Sequence, residues 1–237
     1  MSSETLSLGP LWYAAFVLSL SCHEGAHALA AKLGGDPTAF LAGQMTLNPI
    51  PHVRREPFGT VIVPILSYLA GGWMIGWASA PYDPAWRRQY PRRAAMMALA
   101  GPAANFSLVI LAAAGIHLGV ALGAFALPGR ASFAHVVEAA ASRQGSIPGL
   151  AATLLSILFS LNLLLGAFNL LPVPPLDGNA AAGLVLPERL ARRLAGAGQN
   201  RTLALVGLLI AWKVFDLLFR PIFVAALGLL YPGAGYG

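Results

Sequence analysis

Charge is what this sequence has least of. Only 10% of its 237 residues are Asp, Glu, Lys or Arg, whereas soluble domains carry about a quarter. Against 57% hydrophobic residues and a mean hydropathy of +0.68, that is too little charge for a water-soluble fold, and the chain reads as an integral membrane protein. Acidic residues are the scarcer sign, 9 against 15 basic ones. The arginines stand in short loops between apolar runs rather than in one block, which is the distribution that orients a polytopic protein in a bilayer. No nucleic-acid partner is expected. The single cysteine, Cys22, excludes an intrachain disulfide. No Lys or Arg precedes the first apolar run, so that run lacks the basic start of a cleaved secretory signal and is expected to remain as a helix. Neither an internal repeat nor a low-complexity tail is visible. One domain over 1–237 is expected, with its core at about 6–183 and a cytoplasmic loop plus a C-terminal hydrophobic segment over 184–237.

What stands out against this background is Ser21-Cys22-His23-Glu24-Gly25-Ala26-His27, at the end of the first apolar run. Histidines four apart lie on one helix face, a turn apart, where two ring nitrogens can converge on one metal ion. A glutamate beside the first of them is placed to act as general base. A charged group at membrane depth costs several kcal/mol unless it has a partner or water, and a bound cation is the evident compensation here.

The remaining segments set the expected architecture. A helix over 6–32 ends at Lys32, which marks that end as cytoplasmic. Residues 39–47 are β-prone, and Asn48-Pro49-Ile50-Pro51-His52 is too rich in proline for a regular helix. Residues 58–82 carry no charge, yet arginines flank them on both sides. A re-entrant hairpin turning at Gly71-Gly72 satisfies the orientation bias better than a span. Spanning helices are expected over 92–119 and 148–171, joined by an outside connection. The second of these ends in a proline-broken stretch through Gly178. The last apolar segment, 203–230, holds Lys213, Asp216 and Arg220 at spacings that let them pair. The expected fold is an all-α polytopic membrane protein with about four to five transmembrane helices, a re-entrant segment and a short β-prone membrane-associated stretch.

A catalytic zinc ion typically takes three protein ligands and a water. Besides His23 and His27, the candidates are Asp177, His52, Cys22, Asp36 and Glu56. Cys22 adjoins His23 and points about 100° away around the helix. Asp177 fits best, because it follows the proline-broken stretch on the same side as the histidines. Its bland alternative is a helix N-cap. His117 and His135 fall toward the opposite face and read as structural. His52 fits either a group over the site that hydrogen-bonds the substrate carbonyl or a loop histidine at headgroup level. Asn105 fits an approach to the site or close helix packing beside Gly101.

The motifs HEGAH, NPIPH, GPAAN and NLLPVPPLDG, in that order over about residues 11–183, resemble the site-2 protease family of intramembrane zinc metalloproteases, closest to its compact bacterial members. The most specific is the last, whose N-x-x-P-x-x-P-x-D-G pattern is met by Asn169, Pro172, Pro175, Asp177 and Gly178. The resemblance implies one zinc ion held by His23, His27 and Asp177, with Glu24 as the base and Asn169 positioning substrate or stabilising the oxyanion. It also implies a lipid bilayer as environment, a bacterial inner-membrane location and an active site toward the cytoplasm. The sequence departs from the compact subgroup at Ser79 and at Arg54-Arg55-Glu56. The expected function is therefore endopeptidase cleavage of transmembrane protein substrates, with His52 as a further candidate at the site. The alternative is a non-catalytic zinc-binding membrane scaffold or a metal transporter.

Overall fold

The computed structural model describes residues 6–141, 147–187, 189–190 and 201–236. Helix α1 (Gly9–Leu33) carries Pro10 in its first turn, where a missing N–H leaves no bond unmade, and ends at the Gly34-Gly35 corner. Gly35 takes φ +97°, a left-handed conformation that glycine alone adopts freely. The corner is held from outside: Trp86 Nε1 and Arg93 Nη1 both donate to Gly34 O, at 3.0 and 3.1 Å.

Residues 39–47 are not extended. The chain forms a short helix, α2 (Thr38–Leu41), followed by turns. The reason is local: the buried Asp36 carboxylate accepts from both the backbone N–H and the hydroxyl of Thr38, which starts a helical turn that β-propensity does not overcome. Asn48 caps α3 (Pro49–Arg55) by accepting from Ile50 N–H. A π-helical turn (Phe58–Ile62) then leads into α4 (Val63–Gly71), which Gly72 terminates at φ +76°. From there the chain doubles back along its own helix. Trp77 N–H donates to Gly59 O at 3.1 Å, and Ser79 Oγ donates to Glu56 Oε1 at 2.8 Å. Only glycine permits so close a return, since a Cβ on Gly76 would lie 2.1 Å from Gly59 O.

Helix α5 (Pro84–Gln89) precedes the long α6 (Pro91–Ala121). A connection follows, containing the one described sheet: β1 (Phe125–Ala126) pairs antiparallel with β2 (Glu138–Ala139). Helix α7 (Ile147–Asn169), the short α8 (Asp177–Ala181) and α9 (Arg201–Leu230) complete the chain. Helices α1, α6 and α7 pack pairwise. One apolar cluster joins Phe16, Leu20, Tyr68, Ile157 and Leu161. A second joins Ile116, Val136, Phe159, Leu227 and Tyr231.

The protein is mostly helical, as expected, and α6 and α7 are long and apolar enough to cross a bilayer. Helix α9 adds a third span if its arms, 50° apart, are taken together. Pro221 accounts for that bend, because it lacks the N–H and crowds the carbonyl four residues back. Helix α1 has the length, at 25 residues, but its polar His23-Glu24 and His27 lower its hydropathy. The expected pairing of Lys213 and Arg220 with Asp216 lies outside the described residues, because it needs the Asp216 side chain. The outward faces carry large apolar residues such as Ile110, Leu111, Leu217 and Leu229, each at least 65% exposed. Surfaces of that kind suit lipid contact.

Candidate metal centre and active site

Ser19, His23 and His27 recur every fourth residue on one face of α1, and Met97, Gly101 and Asn105 do the same on α6. Where the two faces meet, every polar atom has an assignable direction. Leu158 O accepts from Asn162 Nδ2 at 2.9 Å, and Ser19 Oγ accepts from the same amide nitrogen at 2.8 Å. Because a carbonyl only accepts, Asn162 must turn its Oδ1 toward Asn105 Nδ2, which donates to it at 2.8 Å. Asn105 Oδ1 is thereby left facing His23 Nδ1, 2.6 Å away, so this ring nitrogen carries the proton. His27 Nδ1–H donates to Met97 O at 2.7 Å, which fixes the second ring in the same way.

With each neutral ring carrying its proton on Nδ1, the two Nε2 lone pairs face each other at 3.0 Å. Asp177 Oδ2 completes the triangle, 3.1 Å from His23 Nε2 and 3.3 Å from His27 Nε2. This buried oxygen accepts no hydrogen bond. Three converging acceptors repel one another unless a cation lies among them. A tetrahedral ion with bonds of about 2.0–2.1 Å spaces its ligand atoms about 3.3–3.4 Å apart, close to the distances seen. Histidines whose other nitrogen donates to an amide or backbone carbonyl are the usual form of metal-ligating imidazole. Space is provided by Gly101: a Cβ there would lie 2.4 Å from His27 Nε2 and 2.5 Å from His23 Nε2. Asp177 opens α8 without capping it, so its carboxylate is not used as an N-cap. Among the described residues this is the one group of three such side chains placed to hold a metal ion.

The model of peptidase family M50 matches residues 12–214 of this sequence. The chain belongs to peptidase family M50. This is the site-2 protease family, and the chain is accordingly a zinc metalloprotease. It is 36% identical over 176 residues to YwhC of Bacillus subtilis, which is named a candidate zinc metalloprotease; the match covers 73% of this chain and 68% of that protein. Rip2 of Mycolicibacterium smegmatis, named in the same terms, is 33% identical over 197 residues, covering 83% of this chain and 65% of Rip2. The chain thus spans about two thirds of the length of these relatives. No solved structure matches it.

In this M50 peptidase the triangle of His23, His27 and Asp177 opens on a cavity of about 1410 Å³. Glu24, buried beside His23, lines it, and so does Asn169 at the end of α7, which donates one amide N–H to Leu165 O at 3.0 Å. The extended return segment past Gly72 forms much of the opposite wall. His52 is elsewhere: it is 1% exposed within α3, is not part of the cavity wall, and its Nε2–H donates to Thr46 O at 3.1 Å. The same Thr46 carbonyl lies against α1, where a Cβ on Gly25 would approach it to 3.1 Å. Of the other ligand candidates, Asp36 also accepts from Asp83 N–H at 2.8 Å and Glu56 holds Ser79, while Cys22 is half-buried beside His23. Asp36 sits outside the membrane-spanning helices. Burial alone would raise its pKa, but the bonds from Thr38 and from Asp83 N–H outweigh it, and the carboxyl is held below the usual value.

The groups that orient the site are those that sequence reasoning underused. Asn162 and Ser19, both fully buried, were not singled out, and Asn105 was placed between two roles. The available signal was that each is a polar side chain on an apolar helix and must find a partner there.

Proposed function

We propose that this protein is an intramembrane zinc endopeptidase that hydrolyses peptide bonds in or near transmembrane segments. One zinc ion would be held by His23, His27 and Asp177, with Glu24 as the general base. The observation that carries this reading is the convergence of three ligand-type atoms, from His23, His27 and Asp177, beside a buried carboxylate, on a cavity walled mainly by apolar residues. When bound, zinc supplies Lewis acidity, which lowers the pKa of water and polarises a carbonyl. Glu24 takes a proton from the attacking water and delivers it to the leaving amine nitrogen. Asn169 spends one N–H on Leu165 O and has a second for the oxygen that becomes negative in the transition state. His52 acts at one remove: it fixes Thr46 against Gly25 and so steadies the turn of α1 that bears Glu24.

A helical substrate has its carbonyls engaged and must unwind before cleavage. The extended stretch after Gly72, rather than 39–47, offers the edge for an unwound strand. Trp77 N–H is turned to Gly59, so in an extended chain the neighbouring Gly76 and Ala78 turn their backbone groups the other way. Because the chain from Phe58 returns to the end where it began, we assign 58–82 as re-entrant. Lys32 lies about one and a half turns past His27, and the Arg93 bond to Gly34 brings the α5–α6 arginines to that same end. This supports a site near the cytoplasmic face of a bacterial inner membrane.

The test compares wild type with Glu24→Gln in vesicles containing a single-span model substrate. The variant should keep about one zinc per chain while cleavage falls by about 10²–10⁴-fold. Cleavage at the wild-type rate by Glu24→Gln would overturn the assignment.

A further inference from the structure

The cavity does not stop at the metal-ligand triangle. It continues along α1 toward that helix's N-terminus, where five aromatic rings line it, Trp12, Trp73, Phe133, Phe219 and Phe223. Phe133 is the hub. It stacks on Trp12 at 5.6 Å and 19°, and on Phe223 at 6.3 Å and 15°. It also leans on Trp73 and Phe219 at 6.4 and 6.1 Å. These rings come from α1, the return segment, the β1–β2 connection and α9.

The height of Phe133 is fixed by its backbone. Val136 and Val137 N–H both donate to Ser156 Oγ of α7, at 2.9 and 3.1 Å. Tyr231 donates to Val136 O at 3.0 Å. Val136 and Val137 are themselves almost fully buried. The connection that carries the hub is thus tied to α7 and to the end of α9, and it cannot slide along the cavity without breaking buried hydrogen bonds.

Two magnitudes identify the occupant. The cavity, at about 1410 Å³, exceeds the roughly 300–1,000 Å³ of small-molecule pockets, so it suits a length of polypeptide. From Trp12 to Glu24 is twelve residues of helix, about 18 Å. That distance is about five residues of extended chain or about twelve of helix. A peptide bond at the metal site and an apolar side chain under the rings can therefore belong to one substrate segment.

We infer that the five-ring cap is a specificity-determining subsite: it seats a large apolar residue of the substrate's membrane segment and thereby fixes which peptide bond reaches the metal site. The inference rests on the intramembrane reading above. Rings select apolar bulk rather than a particular sequence, so the cap measures distance.

The experiment uses the zinc-loaded, full-length protein in vesicles with three single-span substrates, the cleaved bond being read by mass spectrometry. The parent is an alanine-rich span with one phenylalanine on the cap side of the cleaved bond; the others carry a four-alanine insertion between that phenylalanine and the bond (the cap-side insertion) or on the far side of the bond. The cap-side insertion should move the cut by four residues, to the bond at the parental distance from the phenylalanine, and the opposite insertion should leave the cut unmoved. Phe133→Ala should spread cleavage over several bonds, while kcat/KM on a peptide too short to reach the cap stays within about twofold. Phe133→Leu, which keeps apolar bulk at the hub, should give an intermediate spread. A cut that stays at the parental bond despite the cap-side insertion, or single-bond cleavage by Phe133→Ala, would overturn the cap. Failure of the wild type to cleave any of the three would overturn the intramembrane reading itself.

Discussion

Replacing Gly101 by alanine adds one carbon atom at the point where His23 and His27 meet α6. That Cβ would sit 2.4 Å from His27 Nε2, 2.5 Å from His23 Nε2 and 2.6 Å from His23 Cε1. Non-bonded carbon contacts settle at about 3.5–4.0 Å, so both rings must retreat by roughly 1 Å. Metal sites tolerate errors of about 0.2 Å in their bond lengths, several times less than this. The rings cannot retreat easily either, because each Nδ1–H is tied to Asn105 or to Met97 O. Zinc affinity should fall by more than the 10–100-fold typical of losing one outer partner. The helix itself gains, since alanine is favoured over glycine in a helix interior by about 1 kcal/mol. Zinc loss and helix loss are thus separable. Zinc content per chain, helicity and melting of the metal-free protein should be measured together, with Gly115→Ala as control. That residue lies on the same helix, and its Cβ would meet only the movable tip of Leu155 at 3.2 Å. Gly101→Ala binding zinc at wild-type affinity would refute the argument.

Asn105→Ala should weaken zinc binding by about 10–100-fold, because His23 loses the acceptor that fixes its tautomer. Asn105→Asp, which keeps an oxygen facing Nδ1–H, should recover more of the affinity than alanine does; competition with a fluorescent chelator reads both. Asp36→Asn should lower the melting temperature at neutral pH. The folded carboxyl titrates below its unfolded value of about 3.9, so its stabilisation is present above that pH and is lost as pH falls. The melting difference between wild type and Asp36→Asn should therefore shrink below about pH 4, and a difference that grows there would contradict the assignment.

The convergence of His23, His27 and Asp177 was legible because its signal is periodic. His23 and His27 at i and i+4 define a face before any fold is known, and Asp177 follows a stretch whose prolines forbid a helix. Contacts between segments were harder to read. That Asn105 reaches His23, and Asn162 reaches Asn105, depends on how α6 and α7 are rotated against α1, which no local pattern sets. Residues 39–47 show the opposite failure, in which apolar content suggested a strand and one carboxylate, Asp36, wound the chain into a turn. For His52, residue type and loop position were visible, but depth was not, and depth separates a group over the cavity from one beneath Thr46. The β1–β2 connection looked merely polar, because Phe133, Val136 and Val137 are too few to register as a buried segment.

Asp177 stands 150 residues after His27, and the loop before it is seated on α9: a Cβ on Gly207 would lie 2.1 Å from Pro174 O. During synthesis at about 5–20 residues per second, the two histidines wait roughly 8–30 s for their carboxylate, and a few seconds more for the helix that backs it. A nascent chain therefore lies among other membrane proteins before the three groups can meet, and on the proposed assignment it has no hydrolytic competence until Asp177 and the helix behind it have been made. On that assignment, the long separation of His27 from Asp177 acts as a delay that needs no inhibitor.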